Sequence, residues 1–157
     1  MLSTIRMKAG YFPEWQGWII RLMIERIEYD NILFALVVRS DFDEKGVNFV
    51  TPKENPLQLG VLQHEKGTII KPHIHKNVKK TIEQVQEVLY IVYGKIQTEF
   101  FNKEGTRLGD VILNQGDTIL LIEGGHGFNI LDNSKILEVK QGPYSGVQFD
   151  KYKFEEK

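Results

Sequence analysis

The chain holds four histidines, and three of them fall where they could act together. His73 and His75 flank Ile74, and Glu87 and His126 follow downstream. Side chains on a β-strand alternate between its two faces, so His73 and His75 would project to the same side. Two imidazoles converging in this way begin a transition-metal site. With Glu87 and His126 added, the set of three imidazoles and one carboxylate suits divalent Fe, Mn, Ni, Zn or Cu. An octahedral ion held by four such ligands keeps two positions for water or substrate, and an open position separates a catalytic site from a closed structural one. A His-x-His pair alone is also an ordinary surface feature. The weight comes from the glutamate and the third histidine.

Each ligand needs an element to aim it. Val85 to Tyr93 is rich in β-branched and aromatic residues and reads as a strand. On it Glu87, Leu89 and Ile91 share one face, while Val88, Tyr90 and Val92 take the other. Glu87 therefore stands on an apolar inward row, where a lone carboxylate is costly unless paired or metal-bound. Thr68 to His75 reads as the strand carrying the first two histidines. His126 lies in the bend Glu123-Gly124-Gly125-His126-Gly127, where glycines give the backbone room to aim a side chain.

The rest of the chain has the same period-two character. Trp18 to Ile27 and Ile32 to Arg39 read as strands separated by the polar stretch Glu28 to Asn31. Asp41 to Gly46 and Thr51 to Pro56 read as loops. Leu57 to His64 reads as a strand. Lys95 to Phe101 reads as the hairpin partner of Val85 to Tyr93. Val111 to Leu113 and Thr118 to Ile122 follow as strands. Phe128 to Leu131 and Lys135 to Lys140 read as the last pair. A helix at Lys79 to Gln86 is a weak alternative to a loop. Many short strands with frequent turn signals predict an all-β sandwich or barrel. The charged tail from Asp150 reads as partly mobile.

Composition narrows the function classes. The 157 residues are enough for one domain with its own core, and 41% hydrophobic with 26% charged residues marks a globular chain. Twenty basic and 21 acidic residues give a net charge of -1, which offers no electrostatic case for nucleic acid. Cysteine is absent, so disulfides, thiolate metal ligands and cysteine nucleophiles are excluded together. The longest strictly apolar run, Ile32 to Val38, is too short to span a bilayer, and the first residues lack the apolar core of a signal peptide. The expected setting is cytoplasmic, with no membrane partner.

On these residues the chain resembles the cupin superfamily. The first cupin motif runs glycine, five residues, His-x-His, three or four residues, glutamate, six residues, glycine. Five residues separate Gly67 from His73-Ile74-His75, and six separate Glu87 from Gly94. The gap from His75 to Glu87 is eleven residues, which fits a loop inserted between strands. In the second motif Gly116 and Gly124 match, Ile122 replaces a proline, and His126 and Asn129 each come one residue early. The resemblance spans roughly Leu57 to Lys140. It implies a double-stranded β-helix, the cupin or jelly-roll barrel, over 57–146. Residues 1–56 would form an N-terminal strand extension, on the barrel or across a homodimer, and 147–157 a tail. The stretch Glu138 to Tyr144 also looks like bacterial cupins of surface-polysaccharide gene clusters.

Around the metal ligands the sequence offers Gln63, Lys71 and Lys140 as substrate-binding candidates. Gln63 shares the row of Leu59 and Val61, where it would meet a ligand or satisfy a backbone group. Lys71 belongs with Lys66, Lys76, Lys79 and Lys80 to a basic stretch that is either a solvated loop or an anion attractor. His64 falls on the outer face by parity. Trp15 and Trp18 would stack on a sugar or bury at an interface. No general base stands out. The resemblance implies a metal-binding protein for a small polar molecule such as a sugar or sugar-nucleotide derivative, with isomerase-, epimerase- or dioxygenase-like chemistry. The alternative is a non-catalytic cupin that binds a small ligand.

Overall fold

A computed structural model describes residues 23–144, 146 and 151–154. Among the described residues ten strands run β1 (Ile24–Tyr29), β2 (Ile32–Val38), β3 (Gly46–Phe49), β4 (Gly60–Gln63), β5 (Glu87–Tyr93), β6 (Lys95–Phe101), β7 (Arg107–Asn114), β8 (Thr118–Leu121), β9 (Gly125–Ile130) and β10 (Lys135–Lys140). The chain is all-β. One sheet has the order β1-β2-β8-β5-β10, a second the order β7-β6-β9, and β3 pairs with β4 alone. All pairings are antiparallel.

The core forms between the two larger sheets. Ile27, Ala35, Val37, Leu89, Ile91, Ile119 and Leu121 of the first sheet cluster with Ile96, Phe100, Val111 and Leu113 of the second. Burying each of the larger side chains contributes roughly 1.5–3 kcal/mol. The β1–β2 hairpin turns on Asp30 and Asn31, whose positive φ angles of 48° and 63° suit the twist of a tight hairpin. Because β2 lies beside β8, residues 24–38 are part of the main sheet.

Two expected hairpins are corrected. β6 pairs with β7 and β9, so it is not the partner of β5. β9 pairs with β6 and β10 with β5, so the last two strands lie in different sheets. The reason lies at the connections. Gly94 alone joins β5 to β6, at φ 94°, and a Cβ there would collide with Ser134 and the Asn133 carbonyl. The Lys95 amide donates to Ser134 Oγ at 3.0 Å, and the Leu131 amide donates to the Lys95 carbonyl at 2.9 Å. The β5–β6 and β9–β10 crossings between sheets are thus stitched together at one edge.

The expected strand at Thr68 to His75 is also corrected. No strand lies between Gln63 and Glu87, and no helix forms at Lys79 to Gln86. Pro72 has no amide to donate, and a strand without a ladder partner has nothing to satisfy its backbone. β3 was not foreseen, since Gly46-Val47-Asn48-Phe49 is too short for its alternation to register. β7 extends well before Val111, since Arg107, Gly109 and Asp110 hide the strand there while Leu108 packs on the core. The tryptophans at 15 and 18, and the first part of the strand expected from Trp18, lie outside the described residues.

A carboxylate-histidine cleft at the mouth of the sandwich

Glu87 opens β5, and its in-register neighbours are Leu121 on β8 and Lys140 on β10. It lies on the inward row with Leu89 and Ile91, and only 7% of it is exposed. The opposing sheet supplies His126. On β9 it stands directly across from Phe100 of β6, one of the most buried side chains. Directly opposed residues point to the same face, so His126 is directed inward. His126 is therefore a strand residue rather than part of a bend. The bend is confined to Ile122 to Gly124, where the Ile122 amide donates to the Phe34 carbonyl at 2.8 Å. Gly124 has φ 74°, and a Cβ there would strike the Phe34 ring.

The two elements bring His126 Nε2 to 3.3 Å from Glu87 Oε2. Lys140 Nζ lies 3.8 Å from Glu87 Oε1 and 5.1 Å from the centre of the Tyr144 ring. Hydrogen bonding to His126 holds the Glu87 carboxyl below the usual glutamate range. Burial opposes that shift, while the charges of His126, Lys151 and Lys140 reinforce it. Glu87 is thus kept ionised in a partly desolvated place.

The pair opens into a cleft of about 680 Å³. Its lining includes Lys103, Glu123, Phe128, Lys151, Tyr152 and Phe154. That size accommodates a small molecule. Glu123 Oε1 is 3.3 Å from Lys103 Nζ. His126 and Phe128 have ring centres 5.3 Å apart.

The other candidate residues lie elsewhere. His73 and His75 are exposed, with ring centres 5.2 Å apart, and His73 Nδ1 lies 3.0 Å from the Lys71 carbonyl. Ile74 between them is 92% exposed. Among the described residues no group of three or more histidine, aspartate or glutamate side chains gathers as a metal site. Gln63 is half-buried on β4 opposite Gly46, and neither it nor Lys71 lines the cleft. Lys140 alone of the three substrate-binding candidates reaches Glu87.

Sequence reasoning missed Lys103, Glu123, Lys151, Tyr152 and Phe154. Gly124-Gly125 was the available signal, because paired glycines mark close backbone approach. A Cβ on Gly125 would lie 2.5 Å from the Phe154 ring.

Glu87 and His126 suit a metal in their chemistry and spacing. Ligand atoms about 2.0–2.2 Å from one ion sit about 3–3.5 Å from each other. An ionised carboxylate oxygen and an imidazole nitrogen 3.3 Å apart fall in that interval. Without an ion the pair is a histidine-carboxylate dyad, in which Glu87 orients the ring.

Comparison with protein-family models, curated proteins and solved structures gives no match. Among the described residues no helix is long and apolar enough to cross a membrane.

Proposed function

We propose that this chain is a cupin-like protein that binds a divalent transition metal and acts on a small polar molecule, such as a sugar or sugar-nucleotide derivative. The observation that supports it is the meeting of Glu87 and His126, from opposing sheets, inside a cleft of small-molecule size. The jelly-roll reading rests on two antiparallel sheets with chain crossings between them.

In this proposal His73 and His75 complete the ligand set when segment 64–86 closes on the cleft. Two features favour that movement. Gln84 and Val85 already line the cleft, and β9, which carries His126, is one of the two outer strands of its sheet among the described residues. Pro72 is compatible with an edge strand. A bound divalent ion would supply Lewis-acid polarisation of a substrate carbonyl, or oxygen chemistry if it is iron. Glu87 and His126 would hold it. Lys140, on the neighbouring strand, would hold the Glu87 carboxylate in place, and Phe128 would exclude water from one wall.

A non-catalytic ligand-binding protein is the second reading. It is favoured by the cleft's two glutamates, both already partnered: Glu87 by His126 and Lys140, Glu123 by Lys103. Neither is left poised as a base. The cytoplasmic setting, the homodimer and a place in polysaccharide biosynthesis belong to the same proposal. The outward side chains Tyr90, Leu137 and Val139, all exposed, offer an apolar face for a second copy.

The test is elemental analysis of tag-free protein from metal-replete cells, followed by turnover assays on a panel of sugars and sugar nucleotides. A near-stoichiometric metal that falls in Glu87→Gln and His126→Ala supports the site. Metal content near zero in the parent protein would refute it. Metal-dependent binding without product across the panel would favour the second reading.

A further inference from the structure

Residues 151–154 run back across the mouth of the cleft, far in sequence from the strands that build it. Their anchor is Phe154. Its ring lies 5.9 Å from that of Phe101, and Tyr152 stands edge-on to it at 6.1 Å. The seat is cut for it by two glycines. A Cβ on Gly105 would come within 3.0 Å of the Phe154 ring, and one on Gly125 within 2.5 Å. Gly125 immediately precedes His126, so the strap is fixed beside the Glu87–His126 pair.

Anchoring Phe154 there sets Lys151 and Lys153 on the cleft wall, facing a space that Lys103 also lines. Among the described residues the lining carries three lysines and two glutamates. Glu123 is matched by Lys103, and Glu87 by His126 and Lys140. The strap therefore adds positive charge to a site whose carboxylates are already compensated. Lys151 is near enough for its charge to act on Glu87. Concave walls focus such a field on whatever enters. Phe128 and Tyr152 supply ring faces in the same cleft, and Tyr152 is 84% exposed.

We propose that the 151–154 strap determines specificity, with Lys151 and Lys153 receiving the phosphate of a ring-bearing small molecule whose ring lies against Phe128 and Tyr152. This rests on the reading of the cleft as a small-molecule site, and it requires no metal. Lysines bind phosphate as point charges, and two of them two residues apart suit a multivalent anion better than a single carboxylate.

Calorimetric titration of the full chain with matched probes tests it: uridine against UMP, and glucose against glucose 1-phosphate. Titrations are run on protein as purified and again after chelator treatment. In both states at least one phosphorylated probe should bind about tenfold tighter than its neutral counterpart, a gap of about 1.4 kcal/mol. The gap should shrink to less than about twofold in Lys151→Gln/Lys153→Gln, with metal content unchanged. Lys53→Gln/Lys135→Gln, which removes the same charge away from the cleft, should leave it intact. Phe154→Ala, which keeps both lysines but removes their anchor, should also reduce it. The proposal is overturned if no phosphorylated probe is preferred, if the strap-lysine variant keeps the preference, or if the control pair loses it equally. A preference that vanishes on chelation would assign the phosphate to the metal instead. Loss of metal binding with the phosphate preference intact would count against the proposed function only.

Discussion

His126 of β9 stands directly opposite Phe100 of β6, and this register turns the imidazole toward Glu87 on the facing sheet. A shift of one residue in that pairing would send His126 to the outer face, since strand side chains alternate. The site therefore depends on the β6–β9 register as much as on its two polar residues.

Glu87→Gln keeps the size of the side chain and removes its charge. Bound metal, measured by elemental analysis, should fall by at least about tenfold, as loss of a ligand costs more than loss of an outer partner. His126→Ala should do the same. His73→Ala/His75→Ala should lower occupancy as well, and unchanged occupancy there would remove the 64–86 segment from the site.

Glu87 also predicts a pH dependence. Its folded-state value is held below the ordinary glutamate value of 4.5, chiefly by His126. A depressed carboxyl stabilises the fold fully above its unfolded value, and that contribution is lost as pH falls through the folded value. In chelator-treated protein, the stability difference between wild type and Glu87→Gln should therefore be larger at about pH 6 than at about pH 3. Urea denaturation at the two pH values measures it. An equal difference would contradict the pairing.

Thr98 lies at the centre of β6 with 0% exposure, and its hydroxyl has no hydrogen-bond partner among the described residues. A buried unsatisfied hydroxyl costs about 1–3 kcal/mol. Thr98→Val keeps the branched shape, so it should raise unfolding free energy by roughly 1 kcal/mol in chemical denaturation. A loss of stability would mean that the hydroxyl has a partner.

Asp117 ties β8 to its neighbours. Its carboxylate accepts from Arg39 Nη1 at 2.8 Å, from the Ser40 amide at 2.9 Å and from the Asn114 amide at 2.9 Å. Arg39 in turn donates to Glu25 at 2.6 Å and to the Ile112 carbonyl at 2.8 Å. Asp117→Ala leaves three part-buried donors without this acceptor and should cost about 1–3 kcal/mol in unfolding free energy. A loss below about 1 kcal/mol would show the network to be dispensable.

Alternation made most strands legible, and β2, β5, β6 and β10 fall close to their expected bounds. It also put Glu87 on the correct inward row, because Leu89 and Ile91 beside it are unambiguous. Alternation carries no information on partners, so β5 and β6 looked like a hairpin although Gly94 sends them into different sheets. The segment from Thr68 to His75 has a strand's composition, but composition does not supply a neighbour for its backbone. Lys151 and Phe154 could not be read as site residues, since only folding carries that distant segment to Gly105 and Gly125. The meeting of Glu87 with His126 was legible as chemistry, whereas its distance from His73 and His75 was not.

Anomalous diffraction at metal absorption edges, on crystals of tag-free protein from metal-replete cells, tests the central claim most directly. The expected result is one strong peak within bonding distance of Glu87 and His126, with His73 and His75 drawn onto the same ion. No peak, or a peak away from Glu87 and His126, would contradict the account.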